Sequence, residues 1–294
     1  MDGRFEYSPN KPKRSHSPVY DFETFPSAKR KRSNKHIYDP YYITYCETIR
    51  RRSHSPVEFP EISRKRGKYI EQTPSDAQSS IPYSDVEDEQ FKFKLPFTAI
   101  IGGPQSSGKT TFLLKLIIFI KSMVTPEPAQ IVYCYGEYNK SIPEFVKHGV
   151  IPHHGIPSES FLNQSKKPLL LILDDLMLEM DKRYLDHLFT VKSHHRNIGV
   201  IFVVQNLFEK NIKTARDNSQ YLILMRSPSS ARQIRDIGSS LFPTKTRKFM
   251  EIYDMATADL YGYLLIDTHA STHRDHMLRT DIFPGEFTKI FHIH

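Results

Sequence analysis

Sustained hydrophobic patterning begins only at Phe91. Beyond it, short apolar runs recur between polar or turn residues: Phe97–Ile101, Gln130–Tyr135, Leu169–Leu173, Ile198–Val204, Tyr221–Met225 and Gly262–Ile266. Unbroken runs of this length, without polar alternation, predict strands buried on both faces. Helical periodicity separates several of them, over Phe112–Met123, around Ser229–Ser240 and over Lys245–Ala258. Strands alternating with helices predict an α/β fold, a mainly parallel sheet covered by helices on both faces. Residues 91–294 have the size of one domain.

Residues 1–90 carry no such period. They hold 9 of the 20 prolines, and their apolar residues are mostly isolated tyrosines and phenylalanines. Such a stretch cannot bury enough surface to offset chain entropy, so a disordered tail is expected there. Charge is uneven along it: residues 1–70 carry 16 Lys and Arg against 8 Asp and Glu, whereas 71–90 carry 6 acidic residues and no Lys or Arg. Two compact runs, Lys29-Arg30-Lys31-Arg32 and Arg64-Lys65-Arg66-Gly67-Lys68, have the density read by nuclear import receptors or by phosphate backbones. The string Arg14-Ser15-His16-Ser17-Pro18-Val19 recurs as Arg52-Ser53-His54-Ser55-Pro56-Val57. A formal net charge of +8 is compatible with a nucleic-acid partner. Two cysteines, Cys46 and Cys134, exclude a disulfide framework and fit a reducing compartment. No apolar run approaches the roughly 18 residues of a membrane span, and the N-terminus has no signal-like apolar core, so no membrane association is expected.

The strand ending at Ile101 runs into Gly102-Gly103-Pro104-Gln105-Ser106-Ser107-Gly108-Lys109-Thr110-Thr111, and a helical pattern follows. Gly103 to Thr110 matches G-x-x-x-x-G-K-[ST] in the strand–loop–helix context that a phosphate loop requires. Glycines let the backbone curl so that successive N–H groups face a polyphosphate, and the helix N-terminus adds partial positive charge. Residues Gly103, Pro104, Gln105, Ser106, Ser107, Gly108, Lys109, Thr110 and Thr111 are therefore the expected ATP-binding segment. Lys109 would reach the β- and γ-phosphates, and the Thr110 hydroxyl would ligate Mg²⁺.

The run Leu169–Leu173 ends in Asp174-Asp175, which places two carboxylates at the ligand-binding end of a parallel strand. Asp174 is expected to hold Mg²⁺, directly or through water. Asp175 either polarises an attacking water or caps the next helix. Ile198–Val204 ends in Gln205-Asn206, where a glutamine either senses the γ-phosphate or simply closes a strand at solvent.

Together these residues resemble the HerA–FtsK superfamily of P-loop ATPases, and within it the poxvirus-type DNA-packaging ATPases of large DNA viruses and virus-like transposons. The likeness rests on the phosphate loop, the Asp174-Asp175 strand, Leu188-Phe189-Thr190-Val191-Lys192-Ser193-His194-His195-Arg196-Asn197-Ile198, Val204-Gln205-Asn206-Leu207-Phe208, Tyr261-Gly262-Tyr263-Leu264-Leu265-Ile266-Asp267 and Leu278–Pro284. It covers roughly residues 95–286 and implies a RecA-like core, Gln205 as γ-phosphate sensor, and a homo-oligomeric ring threading double-stranded DNA. In such rings an arginine of one subunit contacts phosphate held by the next. Arg196 stands where many members carry it, with Arg216 and Arg226 as competitors. One departure is Asp175, where many members have glutamate, a longer reach toward water.

The expected activity is ATP hydrolysis driving DNA translocation, into a capsid, in a host nucleus and with the virion as second address. A nucleotide kinase and a nucleotide-gated DNA-binding scaffold are the alternatives. His269, His273 and His276 have helical spacing but lack a nearby cysteine or fourth ligand, so no zinc site is expected.

Overall fold

The computed structural model describes residues 83–86 and 91–293. The basic runs, the Ser-Pro repeat and almost all of the expected tail lie outside the described residues.

Among the described residues the first elements are β1 (Tyr83–Val86), β2 (Phe93–Lys94) and β3 (Thr98–Gly102), which delivers the glycine loop. Helix α1 (Lys109–Ile118) leaves that loop, breaks at Phe119 and resumes as α2 (Ile120–Met123) before β4 (Val124–Thr125) and β5 (Gln130–Tyr135). Next come α3 (Ile142–Lys147), β6 (Ile151–His154), α4 (Glu159–Gln164) and β7 (Leu169–Asp174). Helix α5 (Lys182–His187) continues through a π-helical turn, Leu188–Lys192, into α6 (Ser193–His195) and β8 (Ile198–Val204). The chain closes with α7 (Lys213–Asp217), β9 (Tyr221–Met225), α8 (Ala231–Leu241), α9 (Thr246–Ala256), β10 (Tyr263–Asp267), β11 (Leu278–Thr280) and β12 (Thr288–Phe291).

The large sheet has the order β1-β12-β11-β10-β9-β3-β8-β7-β5-β6. From β9 to β6 every pairing is parallel. The loop strand β3 therefore lies mid-sheet between β9 and β8, and β8 separates it from the carboxylate strand β7. The C-terminal ends of β3, β8 and β7 therefore share one rim of a mainly parallel sheet.

The apolar runs are continuous because both sheet faces are covered. Along β8, Val200, Phe202 and Val204 join a core with Leu185, Phe189, Ile234 and Phe249. The intervening Ile201 and Val203 join the opposite core with Phe112, Leu113 and Leu116 of α1. Each such side chain contributes roughly 1.5–3 kcal/mol by leaving water. The fully buried Phe202 is an example whose truncation to Ala costs about 3–5 kcal/mol.

Three features depart from the sequence expectation. The strand at 263–267 pairs antiparallel with β9 rather than extending the parallel set. The reason is the connection: α8 and α9 pack on each other. A single crossover helix returns the chain to the start of the sheet, whereas a helix pair returns it to the end it left. Second, β12 and β1 extend the antiparallel edge, so Tyr83–Val86, placed N-terminal of the expected domain boundary, pairs with Phe291–Thr288. Edge strands need only backbone partners, which acidic composition does not advertise. Third, β6 is mostly exposed, and its sequence, Ile151-Pro152-His153-His154, has no apolar run and so no buried-strand signature. No helix among the described residues is long and apolar enough to cross a membrane.

Candidate nucleotide-binding site

The glycine loop is tied to the neighbouring strand end, since the Gly103 N–H donates to the Val204 carbonyl at 3.2 Å. Its curl uses left-handed backbone at Ser106 (φ 62°) and Gly108 (φ 104°), and Gly108 stands at the N-terminus of α1. Both loop glycines are also pressed by neighbours. A Cβ on Gly103 would lie 2.5 Å from Met225 Cβ, and one on Gly108 would lie 2.6 Å from Tyr261 Cβ. Gln105, Ser106 and Thr110 are exposed, whereas Pro104, Ser107, Lys109 and Thr111 are half-buried. The Ser107 hydroxyl is shielded and has no hydrogen-bond partner among the described residues. A shielded, unsatisfied donor inside such a loop suits a phosphate oxygen.

Lys109 opens α1 and folds back over the loop, donating to the Gly103 and Pro104 carbonyls at 2.8 Å each. Burial lowers its pKa, while the charges of Asp174 and Asp175 oppose that shift. The loop lysine and the carboxylate pair thus share one electrostatic environment, across β8, as the strand order requires.

Asp174 ends β7 and accepts a hydrogen bond from the Tyr133 hydroxyl on the adjacent β5. Asn139 Nδ2 donates to the same phenol oxygen at 3.0 Å. Burial raises the Asp174 pKa; the Tyr133 hydrogen bond pulls it down, Asp175 adds to the rise and Lys109 opposes it. The Tyr133 phenol is pushed far up, first by burial and then by the Asp174 charge, so it remains a donor. Asp175 is exposed and occupies left-handed backbone, φ 56°. It does not cap α5, which begins only at Lys182 with Asp181 at its cap position.

Gln205 follows β8 directly, is exposed, and lines a crevice with Gly102, Gly103 and Leu207. Asn206 turns the chain there, its Oδ1 accepting from the Phe208 N–H at 3.0 Å.

The fold brings Gly103–Thr111, Lys109, Asp174, Asp175 and Gln205 to one rim. Arg196 is not there. It precedes β8, so one strand of seven residues, roughly 20 Å, separates it from its own loop. Arg196 instead pairs with Glu159 at 2.7 Å, and Lys192 binds the other oxygen of that carboxylate. Arg216 is held by the Leu207 carbonyl at 3.1 Å and lies over the Phe208 ring. Arg226 follows β9 directly, exposed on the same rim as the loop.

Tyr133 and Asn139 were not legible as site residues. Tyr133 sits in an apolar run and reads as core, and its partner is 41 positions away. The 269–276 segment forms only a 3-10 turn at Arg274–His276, and His269 Nδ1 lies 2.9 Å from Ser271 Oγ. Among the described residues no group of three or more His, Cys, Asp and Glu could hold a metal.

No protein-family model matches the chain, and a search of curated proteins returns no match. Solved structures of similar fold include the cytoplasmic domain of EssC, 16% identical over 47% of this chain and 32% of that one, with a TM-score of 0.34. EssC (ATPases 2 and 3) from Geobacillus thermodenitrificans is 12% identical over 68% of this chain and 39% of that one, with a TM-score of 0.36. A KaiC-like protein from Pyrococcus horikoshii OT3 is 13% identical over 44% of this chain and 72% of that one, with a TM-score of 0.31. The chain thus spans about a third of the length of the EssC cytoplasmic domain.

Proposed function

We propose that this protein is an ATP-hydrolysing motor that translocates double-stranded DNA as a homo-oligomeric ring, packaging a viral or virus-like genome into a capsid. The observation that carries its hydrolytic part is the parallel order β3-β8-β7, which sets the phosphate loop and the Asp174-Asp175 end of β7 on one rim, either side of β8. A clamp for phosphate charge thereby stands opposite two carboxylates at the end of a buried strand.

The residues also fit Mg²⁺. One hydroxyl and one carboxylate, Thr110 and Asp174, are what this ion takes from a protein when phosphates and water complete its shell. When bound, it neutralises charge on the β- and γ-phosphate oxygens. Lys109 exchanges its loop carbonyls for phosphate oxygens, and the unpartnered Ser107 hydroxyl gains an acceptor. Asp175, exposed at the rim, takes a proton from water as the water oxygen bonds to the γ-phosphorus and the bond to the β-phosphate oxygen breaks. Gln205 orients that water. Free phosphate is then the product, which separates this activity from a kinase.

DNA as cargo, capsid proteins as partners and the host nucleus as address rest on the sequence resemblance and on the basic runs at 29–32 and 64–68. A reporter carrying residues 1–90 that stays cytoplasmic would refute the nuclear address. The core test is phosphate release by purified protein with Mg²⁺, with and without duplex DNA. Turnover should rise with DNA and collapse in Lys109→Ala. Absence of Lys109-dependent hydrolysis under both conditions overturns the motor reading.

A further inference from the structure

The rim beyond β9 carries a feature that hydrolysis does not use. A cavity of about 430 Å³ lies there, lined by Arg226, Ala231, Met250, Tyr253, Asp254 and Ala258 among others. Its volume falls within the range of small-molecule sites. Its floor is fixed by Tyr253, whose hydroxyl donates to the Met225 carbonyl at 2.9 Å and accepts from the Ser227 N–H at 2.8 Å.

Two contacts place this cavity beside the phosphate loop. Met225, the residue before Arg226, presses on Gly103, and Tyr261, just past the lining residue Ala258, presses on Gly108. Tyr261 is conformationally unusual. It adopts φ 63°, which is costly for a bulky side chain. The turn holds it there: the Gly262 N–H donates to the Asp259 carbonyl at 3.0 Å, and a Cβ on Gly262 would lie 2.8 Å from the Ala256 carbonyl oxygen. The result is an aromatic ring packed on the loop yet 43% exposed. Asp254 is also exposed.

The direction of a bound polyphosphate follows from the strand order. Asp174 lies on the β8–β7 side of the loop, so the terminal phosphate and the metal belong there. The nucleoside end must leave on the other side, toward β9 and β10, where Tyr261 and the cavity are.

We infer that the nucleoside of the bound nucleotide lies on this side of the loop, its purine base stacked on Tyr261 and its ribose directed to the cavity, where Asp254 accepts hydrogen bonds. This deepens, and rests on, the nucleotide-site reading above. Tyr261 packs Cβ, Cγ and Cδ1 toward Gly108, atoms that leucine also has, and its exposed remainder is free to receive the base. An aromatic face accepts any base but favours the larger purine surface.

The test is calorimetric titration of the full chain with ATP and, separately, with inorganic tripolyphosphate, which has the phosphates but no nucleoside. Tyr261→Leu should weaken ATP binding about tenfold, a typical loss for one stacked base, and leave tripolyphosphate binding unchanged. Tyr261→Phe should bind ATP like the unaltered protein. Ala258→Phe, which fills the cavity from an exposed position, should also weaken ATP alone, and it carries the test if Tyr261→Leu fails to fold. Equal losses for both ligands, or no loss for either, overturn the inference. Failure of the unaltered protein to bind either ligand overturns the phosphate-loop reading itself.

Discussion

The Tyr133 hydroxyl donates a hydrogen bond to Oδ2 of Asp174, joining the strand next to the carboxylate strand to the proposed metal ligand. Asn139 donates to the same phenol oxygen, so Tyr133 is itself held in place. A carboxylate that must ionise while buried is thus given a neutral donor, which favours its charged form and fixes its orientation.

Tyr133→Phe removes that donor and keeps the ring. The Asp174 pKa, already raised by burial, should rise further, because the hydrogen bond opposed the shift. The acid limb of the pH–rate profile should therefore move toward higher pH, and the Mg²⁺ concentration for half-maximal rate should increase. A loss of about tenfold in turnover at neutral pH is expected, from one hydrogen bond to a charged group. A merely structural tyrosine would lower the melting temperature without moving the pH limb.

Asp174→Asn should abolish turnover and stabilise the fold. The sign follows from linkage. The folded-state pKa is raised, so between the unfolded value and the folded value the native state binds more protons. Stability is therefore lost as pH rises through that window. The neutral amide removes the loss, and thermal melts followed upward in pH from the ordinary carboxylate range should show a higher and flatter melting temperature than the unaltered protein.

Asp175→Asn tests water activation with little structural disturbance, since asparagine also tolerates left-handed backbone and φ is 56° here. Turnover should fall about 10²–10⁴-fold with nucleotide affinity retained. An unchanged rate would leave a nucleotide-gated scaffold as the better reading.

Arg196 lies at the far rim from its own loop, held by Glu159. A phosphate contact by this residue must be made to a neighbouring subunit, and it must exchange Glu159 for the nucleotide. Specific activity should rise with protein concentration. Arg196→Ala should lose turnover by on the order of 10³ while keeping nucleotide affinity. Mixed Arg196→Ala and Lys109→Ala subunits should regain activity where an intact loop meets an intact arginine. Equal specific activity at all concentrations, with Arg196→Ala unimpaired, would place the contact elsewhere.

The phosphate loop, the paired carboxylates and Gln205 were legible in linear order because each depends on local chemistry. Glycines are needed where the backbone curls, and polar residues close apolar strands at the ligand rim. The parallel core strands were legible for a similar reason: burial on both faces demands an unbroken apolar run, and β3, β5, β7, β8 and β9 each show one. What distant residues do to each other was not legible. Only the folded sheet puts Tyr133 beside Asp174, sends β10 back antiparallel, and sets Arg196 and Lys109 on opposite rims. Tyr261 on Gly108 is of the same kind. Residues that pair across 41 or 153 positions leave no periodicity or spacing behind, because the chain between them sets only that they can meet, and packing decides that they do.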